Sequence, residues 1–413
     1  MQKDRRLSLS AILTGIALVA SACGGIPGLG GGDTPSGSVK IVSSLPLTGP
    51  SRAQTETVVN AIKMALEEAG NKVGNLTIEY ESLDDATAAK QSWDAAKEAE
   101  NARKAISDSK VIAYIGTYNS GAAAVSIPIL CQANLAMVSP ANTYAGLTKK
   151  GAPGIEKDEP DKYYPGGCKR NYSRVVPADD LQGVVGAKWA KELGAKKVFI
   201  THDNELYGKG LADVFRKAAK DFGLTEAGYE GAPKADNYRA LANKIKDSGA
   251  ELLYYGGIED NNPHLLWRDV KAVAPNIKLM GPDGIATQNF IKNAGAAGES
   301  QYVTFGGIPT TQYAGKSKDW LDSYTKKYSG KPDVYAIYGY EAVKVVLEAL
   351  RKAGAKATDR ATVRDNIMGT KDFEGVLGQK WSFTAEGDTT ITTMAGMQIK
   401  SGDFAFVKLI EGK

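Results

Sequence analysis

The chain has 413 residues and a formal net charge of +4, and 43% of its residues are hydrophobic. This length allows two or three domains, each with its own core, and the composition is ordinary for a globular α/β protein. Part of the positive excess lies in the first six residues and no basic run follows, so we expect no nucleic-acid partner.

The first 22 residues have the pattern of a secretory signal peptide. A charged start is followed by an apolar run over residues 7–20, which is too short for a comfortable membrane span. Ala20-Ser21-Ala22-Cys23 resembles a bacterial lipobox, although Leu is more usual than Ala20 at its first position. Residues 23–38 then form a lipidated Cys23 and a Gly-rich tether of about 20 Å. We expect a membrane-anchored extracytoplasmic lipoprotein, with an ordinary signal-peptidase site and a soluble secreted protein as the alternative.

From residue 39 onward, apolar runs typical of strands alternate with amphipathic helical patterns. Strands are expected over residues 39–45, 76–83, 111–115 and 136–139, and an Ala-, Lys- and Glu-rich helix is expected over 86–107. Repeated strand and helix segments favour a parallel sheet with right-handed crossovers.

Residues 146–171 are rich in Gly, Pro, Lys and Asp and are predicted to form a loop insertion. Cys131 and Cys168 flank most of this segment, and a disulfide between them would pin it in an exported protein. Two independent thiols are the alternative, because Cys131 follows an apolar stretch in which it could simply be buried.

The strand and helix alternation restarts after this insertion, which predicts a second lobe of the same architecture. Its strands are expected over residues 197–201, 225–229, 251–255, 277–280 and 302–305. The alternating pattern of residues 379–407 indicates antiparallel strands at a sheet edge.

The sequence lacks the familiar patterns of covalent chemistry. It has only two histidines, His202 and His264, and no nucleophile elbow, Walker loop, dinucleotide fingerprint or His-Glu-x-x-His motif. His202-Asp203 has no further ligand at a fixed spacing for a metal. We therefore expect that the protein is not an enzyme and has neither a cofactor nor a metal.

Two polar turns follow neighbouring predicted strands, at residues 117–120 and 140–143. In an open α/β sheet, loops that leave the carboxyl ends of neighbouring strands line the ligand crevice. Ser120 begins a helix whose unpaired N–H groups could hold a carboxylate or a phosphate. The alternative is that Ser120 only caps this helix.

Several short motifs occur in a fixed order along the chain. They are Pro46-Leu47-Thr48-Gly49-Pro50, Ile115-Gly116 with Ser120, Ser139-Pro140-Ala141-Asn142-Thr143, His202-Asp203 with Tyr207-Gly208, Tyr254-Tyr255-Gly256-Gly257, Met280-Gly281-Pro282-Asp283-Gly284, and Phe373 to Gly378 with Phe383 and Gly387-Asp388. With these motifs in this order, the chain resembles the type I periplasmic binding proteins of amino-acid ABC transporters, the leucine/isoleucine/valine-binding family. The resemblance extends from about residue 39 to the end of the chain.

The resemblance implies an α/β fold of two Rossmann-like lobes with parallel central sheets, joined by a three-strand hinge. Lobe 1 would comprise residues 39–178 and 309–388, and lobe 2 residues 179–308 and 389–413. The implied protein is a monomeric substrate-binding component of an ABC transporter that closes around its ligand and delivers it to a membrane permease.

The resemblance also implies how an amino acid is held at its two charged ends. Ser120, Ala141 and Thr143 would bind the carboxylate of the ligand, and Asp283 its ammonium group. Tyr207 would add an aromatic ring from the other lobe. Burying a zwitterion requires that both of its charges are matched. Without a ligand, Asp283 would be an ordinary residue of a Pro-Asp-Gly turn.

The pocket for the ligand's side chain is implied to involve Gln54, Tyr118, Ile258 and Tyr335. Gln54 and Ile258 stand where the family often has aromatic residues, and Asp283 stands where Glu is common. These departures leave the ligand open among branched-chain, aliphatic and small polar amino acids. An amide, urea or another small polar ligand is the alternative, and so is a sensor that signals to a partner instead of supplying a transporter.

Overall fold

The computed structural model describes residues 34–411, so the predicted signal peptide, Cys23 and most of the tether lie outside the described residues. The described strands are β1 (Ser36–Leu45), β2 (Lys72–Val73), β3 (Asn75–Asp84), β4 (Ala86–Thr87), β5 (Ser92–Trp93), β6 (Val111–Gly116), β7 (Ala136–Ser139), β8 (Tyr172–Arg174), β9 (Lys197–His202), β10 (Thr225–Gly231), β11 (Leu252–Gly256), β12 (Lys278–Gly281), β13 (Tyr302–Gly306), β14 (Thr393–Lys400) and β15 (Asp403–Glu411). The described helices are α1 (Arg52–Glu68), α2 (Ala95–Ser107), α3 (Ser120–Gln132), α4 (Asp179–Glu192), α5 (Leu206–Asp221), α6 (Arg239–Asp247), α7 (Pro263–Val273), α8 (Gln288–Ala294), α9 (Lys316–Tyr328), α10 (Ala336–Ala353) and α11 (Arg360–Met368). Within residues 34–411, none of the helices combines the length and the apolar character that a bilayer crossing needs.

The first sheet has the strand order β2-β3-β1-β6-β7-β8. All of its pairings are parallel except the short edge pairing of β2 with β3. Every residue of β6 is buried, as expected for a central parallel strand that is covered on both faces. Helices α1 and α10 pack together beside this sheet, and α11 lies against β6 and β7.

The second sheet has the order β10-β9-β11-β12-β13-β14-β15. Strands β9 to β13 are paired in parallel, whereas β14 and β15 continue the sheet in antiparallel fashion to its edge. The antiparallel edge predicted from the alternating tail is thereby confirmed. Helices α4 and α5 pack on each other beside the second sheet.

The chain passes between the two sheets after β8, after β13 and again before β14. The first and third passages meet at a buried ion pair, in which Nε of Arg174 lies 2.7 Å from Oδ1 of Asp388. Arg174 also donates a hydrogen bond to the backbone carbonyl of Tyr144 (2.8 Å). These two lobes with parallel-dominated sheets confirm the predicted fold class.

A disulfide joins Cys131, near the end of α3, to Cys168 in the loop insertion, with their Cα atoms 5.9 Å apart. The predicted bridge is confirmed, and the alternative of two independent thiols is wrong. The insertion contains three short 3₁₀ turns and ends at β8. The bridge therefore ties this loop to the helix whose first residue is Ser120.

The helix predicted over residues 86–107 is wrong in its first part. Residues 86–93 form the small antiparallel hairpin β4–β5, in which Ala86 pairs with Trp93. Helix α2 starts only at Ala95, because the Asp94 side chain accepts hydrogen bonds from the N–H groups of Ala96 (2.9 Å) and Lys97 (3.1 Å). Ala, Lys and Gln residues favour a helix, but a strong cap placed at Asp94 decides where the helix begins.

Candidate ligand-binding site

A cavity lies between the two sheets and is lined by residues from both lobes. Eight of the nine residues predicted to bind the ligand line this cavity: Tyr118, Ser120, Ala141, Thr143, Tyr207, Ile258, Asp283 and Tyr335. The ninth, Gln54, does not line it and instead accepts a hydrogen bond from the hydroxyl of Tyr118. The geometry thus brings these residues together, while their roles toward a ligand stay predictions.

The start of α3 forms part of the cavity wall. Asn119, and not Ser120, occupies the N-cap position, so the interpretation of Ser120 as the cap is wrong. Oγ of Ser120 accepts a hydrogen bond from the N–H of Tyr144 (3.3 Å), which leaves the hydroxyl proton free to donate. The N–H groups of Ser120 and Gly121 lie in the first turn, where no intrahelical acceptor exists, at the positive end of the helix dipole.

The turn over residues 140–143 is fixed beside this helix start by buried hydrogen bonds. Oγ of Ser139 accepts from the N–H groups of Ala141 (3.1 Å) and Asn142 (2.8 Å) and donates to the carbonyl of Thr117 (3.0 Å). The Asn142 amide donates to the carbonyl of Tyr118 (2.9 Å). The two polar turns therefore hold each other in place, and Ala141 and Thr143 face the cavity beside Ser120.

Asp283 contributes a buried carboxylate to the cavity wall. Asp283 follows β12 in the second lobe and is 3% exposed. Its carboxylate accepts hydrogen bonds from the hydroxyl of Tyr207 (2.9 Å) and from that of Tyr335, which comes from the first lobe. Burial raises the pKa of Asp283, and the hydrogen bonds from Tyr335 and Tyr207 oppose that rise.

A second buried carboxylate, Asp179, was not predicted as a site residue. It is the first residue of α4, and its N–H donates to the carbonyl of Thr143 (2.8 Å). Among the described residues, neither of its carboxylate oxygens has a hydrogen-bond partner. Burial raises the pKa of Asp179, and the charge of the nearby Asp283 raises it further. The burial of Asp179 could not be predicted from its position alone, because an acidic residue at a helix start is common.

Aromatic side chains form much of the remaining wall. The rings of Tyr118 and Tyr335 meet edge to face, with centroids 5.8 Å apart. Sequence reasoning missed five lining residues, namely Trp93, Asn119, Gly121, Glu205 and Gly284. Asn119, Gly121 and Gly284 could have been found, because each adjoins a predicted site residue. Trp93 could not, because it belongs to the hairpin for which a helix was predicted.

The cavity wall therefore contains both donors, at the start of α3, and a buried carboxylate, at Asp283. This combination suits a ligand with an anionic and a cationic group. Of the residues that the structure describes, no three His, Cys, Asp or Glu side chains are grouped so as to hold a metal ion.

Comparison with known proteins identifies the family of this chain. A family model described as "Periplasmic binding protein" matches residues 38–403. An amino acid binding protein of Pseudomonas aeruginosa is 27% identical over 359 residues, which are 84% of this chain and 86% of the relative. The Leu/Ile/Val-binding protein BraC3 of Rhizobium johnstonii is 29% identical over 84% of this chain and 87% of its own length.

Among solved structures, the leucine binding protein LivK of Thermotoga maritima superposes with a TM-score of 0.78 at 25% sequence identity. The superposition covers 90% of this chain and 99% of LivK. These relatives are solute-binding proteins and not enzymes. This chain belongs to the periplasmic binding protein family, and within it to the type I proteins of the leucine/isoleucine/valine-binding group.

Proposed function

We propose that this protein is the extracytoplasmic substrate-binding component of an ABC transporter and that it captures a free amino acid between its lobes. The observation that carries the proposal is that Ser120 from the first lobe and Asp283 from the second line the same cavity. The start of α3 would bind the α-carboxylate, and Asp283 would bind the α-ammonium group. Because these groups come from different lobes, the ligand would stabilise the closed state preferentially.

The ligand is proposed to be a branched-chain, aliphatic or small polar amino acid. Ile258 and the rings of Tyr118 and Tyr335 supply apolar wall to the cavity. The curated relatives include one named for Leu, Ile and Val. An amide or urea would have no positive charge to set against the buried carboxylate of Asp283, so a zwitterion is favoured.

Delivery to a membrane permease and anchoring through a lipid on Cys23 are part of the same proposal. The lobes are proposed to comprise residues 39–178 with 309–388, and 179–308 with 389–413, and the protein is proposed to act as a monomer. Mass spectrometry of the membrane fraction should find the mature chain starting at an acylated Cys23, and Cys23→Ser should release the protein. An unmodified mature chain starting at Cys23 would support simple secretion.

A ligand screen tests the proposal directly. The purified full-length protein is melted in the presence of each common amino acid, and separately with small amides and urea. A ligand that binds only the native state adds about 2.7 kcal/mol of stability at a hundredfold excess over Kd. We expect aliphatic amino acids to raise the melting temperature. Silence from every amino acid, together with a response to an amide or urea, would replace the amino-acid proposal by the alternative.

A further inference from the structure

Asp260 joins the two lobes at a place that is separate from the ligand cavity. It lies in the second lobe, in the loop after β11, and is 1% exposed. Oδ1 accepts hydrogen bonds from the N–H (3.0 Å) and the Oγ (2.8 Å) of Ser51, and Oδ2 accepts from Oγ of Ser92 (2.6 Å). Both serines belong to the first lobe, and Asp260 is not among the residues that line the cavity.

We propose that Asp260, Ser51 and Ser92 form an interlobe latch that sets the lifetime of the closed, ligand-bound state. Asp260 acts as a positioning residue, because it holds the lobes together without touching the ligand. The proposal rests on the proposed function in one respect, namely that the lobes open and close around a bound ligand.

The first-lobe partners are well suited to receive a carboxylate. Ser51 is the N-cap residue of α1, makes no side-chain cap within its own helix, and is followed by a first turn without acidic residues. A helix start of this kind is stabilised by a nearby negative charge. Here the charge is supplied by the other lobe, so α1 gains this interaction only when the lobes are closed.

The second partner connects the latch to the cavity wall. Ser92 immediately precedes Trp93 in the hairpin β4–β5, and Trp93 lines the cavity. The hydrogen bond from Ser92 to Asp260 therefore fixes the hairpin that carries this ring. Loss of the latch should release both the lobe contact and the part of the wall formed by Trp93.

The loop that carries Asp260 is fixed within its own lobe. Oδ2 of Asp203 accepts hydrogen bonds from the N–H of Ile258 (3.0 Å) and from the Asn261 amide (3.0 Å). The hydroxyl of Tyr238 donates to the carbonyl of Asn261 (2.8 Å). These bonds already order the loop before the lobes close. Closure therefore does not incur the entropy cost of ordering it, and the hydrogen bonds of Asp260 can stabilise the closed state.

The test measures binding of L-leucine to the full-length protein and to D260N and S92A by stopped flow and calorimetry. D260N should weaken binding by about 10- to 100-fold, the range for lost hydrogen bonds to a charged group. The loss should lie in the dissociation rate, with the association rate within about threefold of wild type. The melting temperature of the ligand-free protein should change little, because Asp260 contacts the first lobe only in the closed fraction of that protein. D247N removes an exposed carboxylate of α6 and should leave both rates unaltered.

S92A should raise the dissociation rate in the wild-type background and have little further effect in D260N. A D260N affinity within twofold of wild type, or a loss carried by the association rate, would overturn the latch.

If the wild type fails to bind L-leucine, leucine is not the ligand. The latch is then tested by a second measurement that needs no ligand. Spin labels on E100C and K246C, at exposed positions of α2 and α6, then report the distance between the lobes of the ligand-free protein. The latch requires a closed population that D260N loses, and identical distance distributions in the two proteins would overturn it.

Discussion

Tyr335 and Asp283 meet across the cleft, the hydroxyl of the first-lobe tyrosine donating a hydrogen bond to the second-lobe carboxylate. Tyr207 donates to the other oxygen of the same carboxylate from within the second lobe (2.9 Å). Asp283 is thus oriented by two phenols, one from each lobe. We predict that opening of the lobes would remove the hydrogen bond from Tyr335 and so couple the orientation of the acidic group to closure of the site.

Trp93 should limit the size of the ligand's side chain. Its ring lines the cavity beside the start of α3, so W93A would remove wall and leave room for a larger side chain. We predict that the affinity ratio of L-phenylalanine to L-leucine rises by about tenfold or more in W93A. Calorimetric titration of both amino acids into both proteins measures this ratio. An unchanged ratio would show that Trp93 does not bound the side-chain pocket.

Gly121 should be required for Trp93 to occupy its position. A Cβ atom at residue 121 would lie 2.6 Å from Cζ2 and 2.8 Å from Cη2 of the Trp93 ring. Such overpacking costs about 1–3 kcal/mol, so G121A should displace the ring and weaken binding. In a W93A background the same substitution should change affinity by less than about twofold.

Titration calorimetry of the two single variants and the double variant gives this coupling. G330A, at an exposed position where a Cβ meets nothing closer than 3.9 Å, is the matched control. Equal effects of G121A in both backgrounds would contradict the proposed contact.

Asp203 should make the stability of the protein depend on pH. Burial raises its pKa to about 7, although the N–H groups of Ile258 and Glu205 donate to it. The folded state then holds a proton that the unfolded state releases between about pH 4 and 7. The free energy of unfolding should therefore fall as the pH rises through this window, by about 1.4 kcal/mol per pH unit for this group.

Urea unfolding at several pH values, with wild type and D203N compared, measures this slope. The amide side chain of D203N cannot titrate, so the free energy of unfolding of this variant should depend on pH between 4 and 7 with a slope that is shallower by one proton. Parallel curves for the two proteins would mean that Asp203 does not titrate in this range.

The Cys131–Cys168 bridge should contribute to stability far more than to binding. The cysteines are 37 residues apart, and closing a loop of this size in the unfolded chain is worth about 3–4 kcal/mol. The double variant C131S/C168S should lose this amount in urea unfolding while binding its ligand within about threefold of wild type. A large loss of affinity at unchanged stability would instead make the bridge a part of the site.

The sequence predicted the strands and the site residues that carry a local pattern of apolar runs, turns or motifs. Apolar runs that end in glycine or a polar turn predicted the buried parallel strands, and the motif order brought Ser120 and Asp283 to one cavity. The contacts that close the cleft carry no such local signal. Ser92 and Asp260 are 168 residues apart and meet only where the two lobes contact each other.

The hairpin β4–β5 shows the same limit at short range. Its Ala-, Lys- and Gln-rich residues have good helix propensity, and only the cap at Asp94 and the pairing of Ala86 with Trp93 oppose it. Packing overrides weak local preferences of this kind. As a result, the aromatic residue that the hairpin brings to the cavity could not be predicted.

The most direct test is titration of D283N with the amino acid that best stabilises the wild type, next to D236N as an exposed control. Loss of the buried negative charge should weaken binding by about 100-fold or more, because the ligand's ammonium group would be left unpaired. The melting temperature of ligand-free D283N should equal or exceed that of wild type, since a buried carboxylate is costly to desolvate. Wild-type affinity in D283N would contradict the recognition of a zwitterion between Ser120 and Asp283. So would a loss of stability of ligand-free D283N as large as its loss of binding free energy.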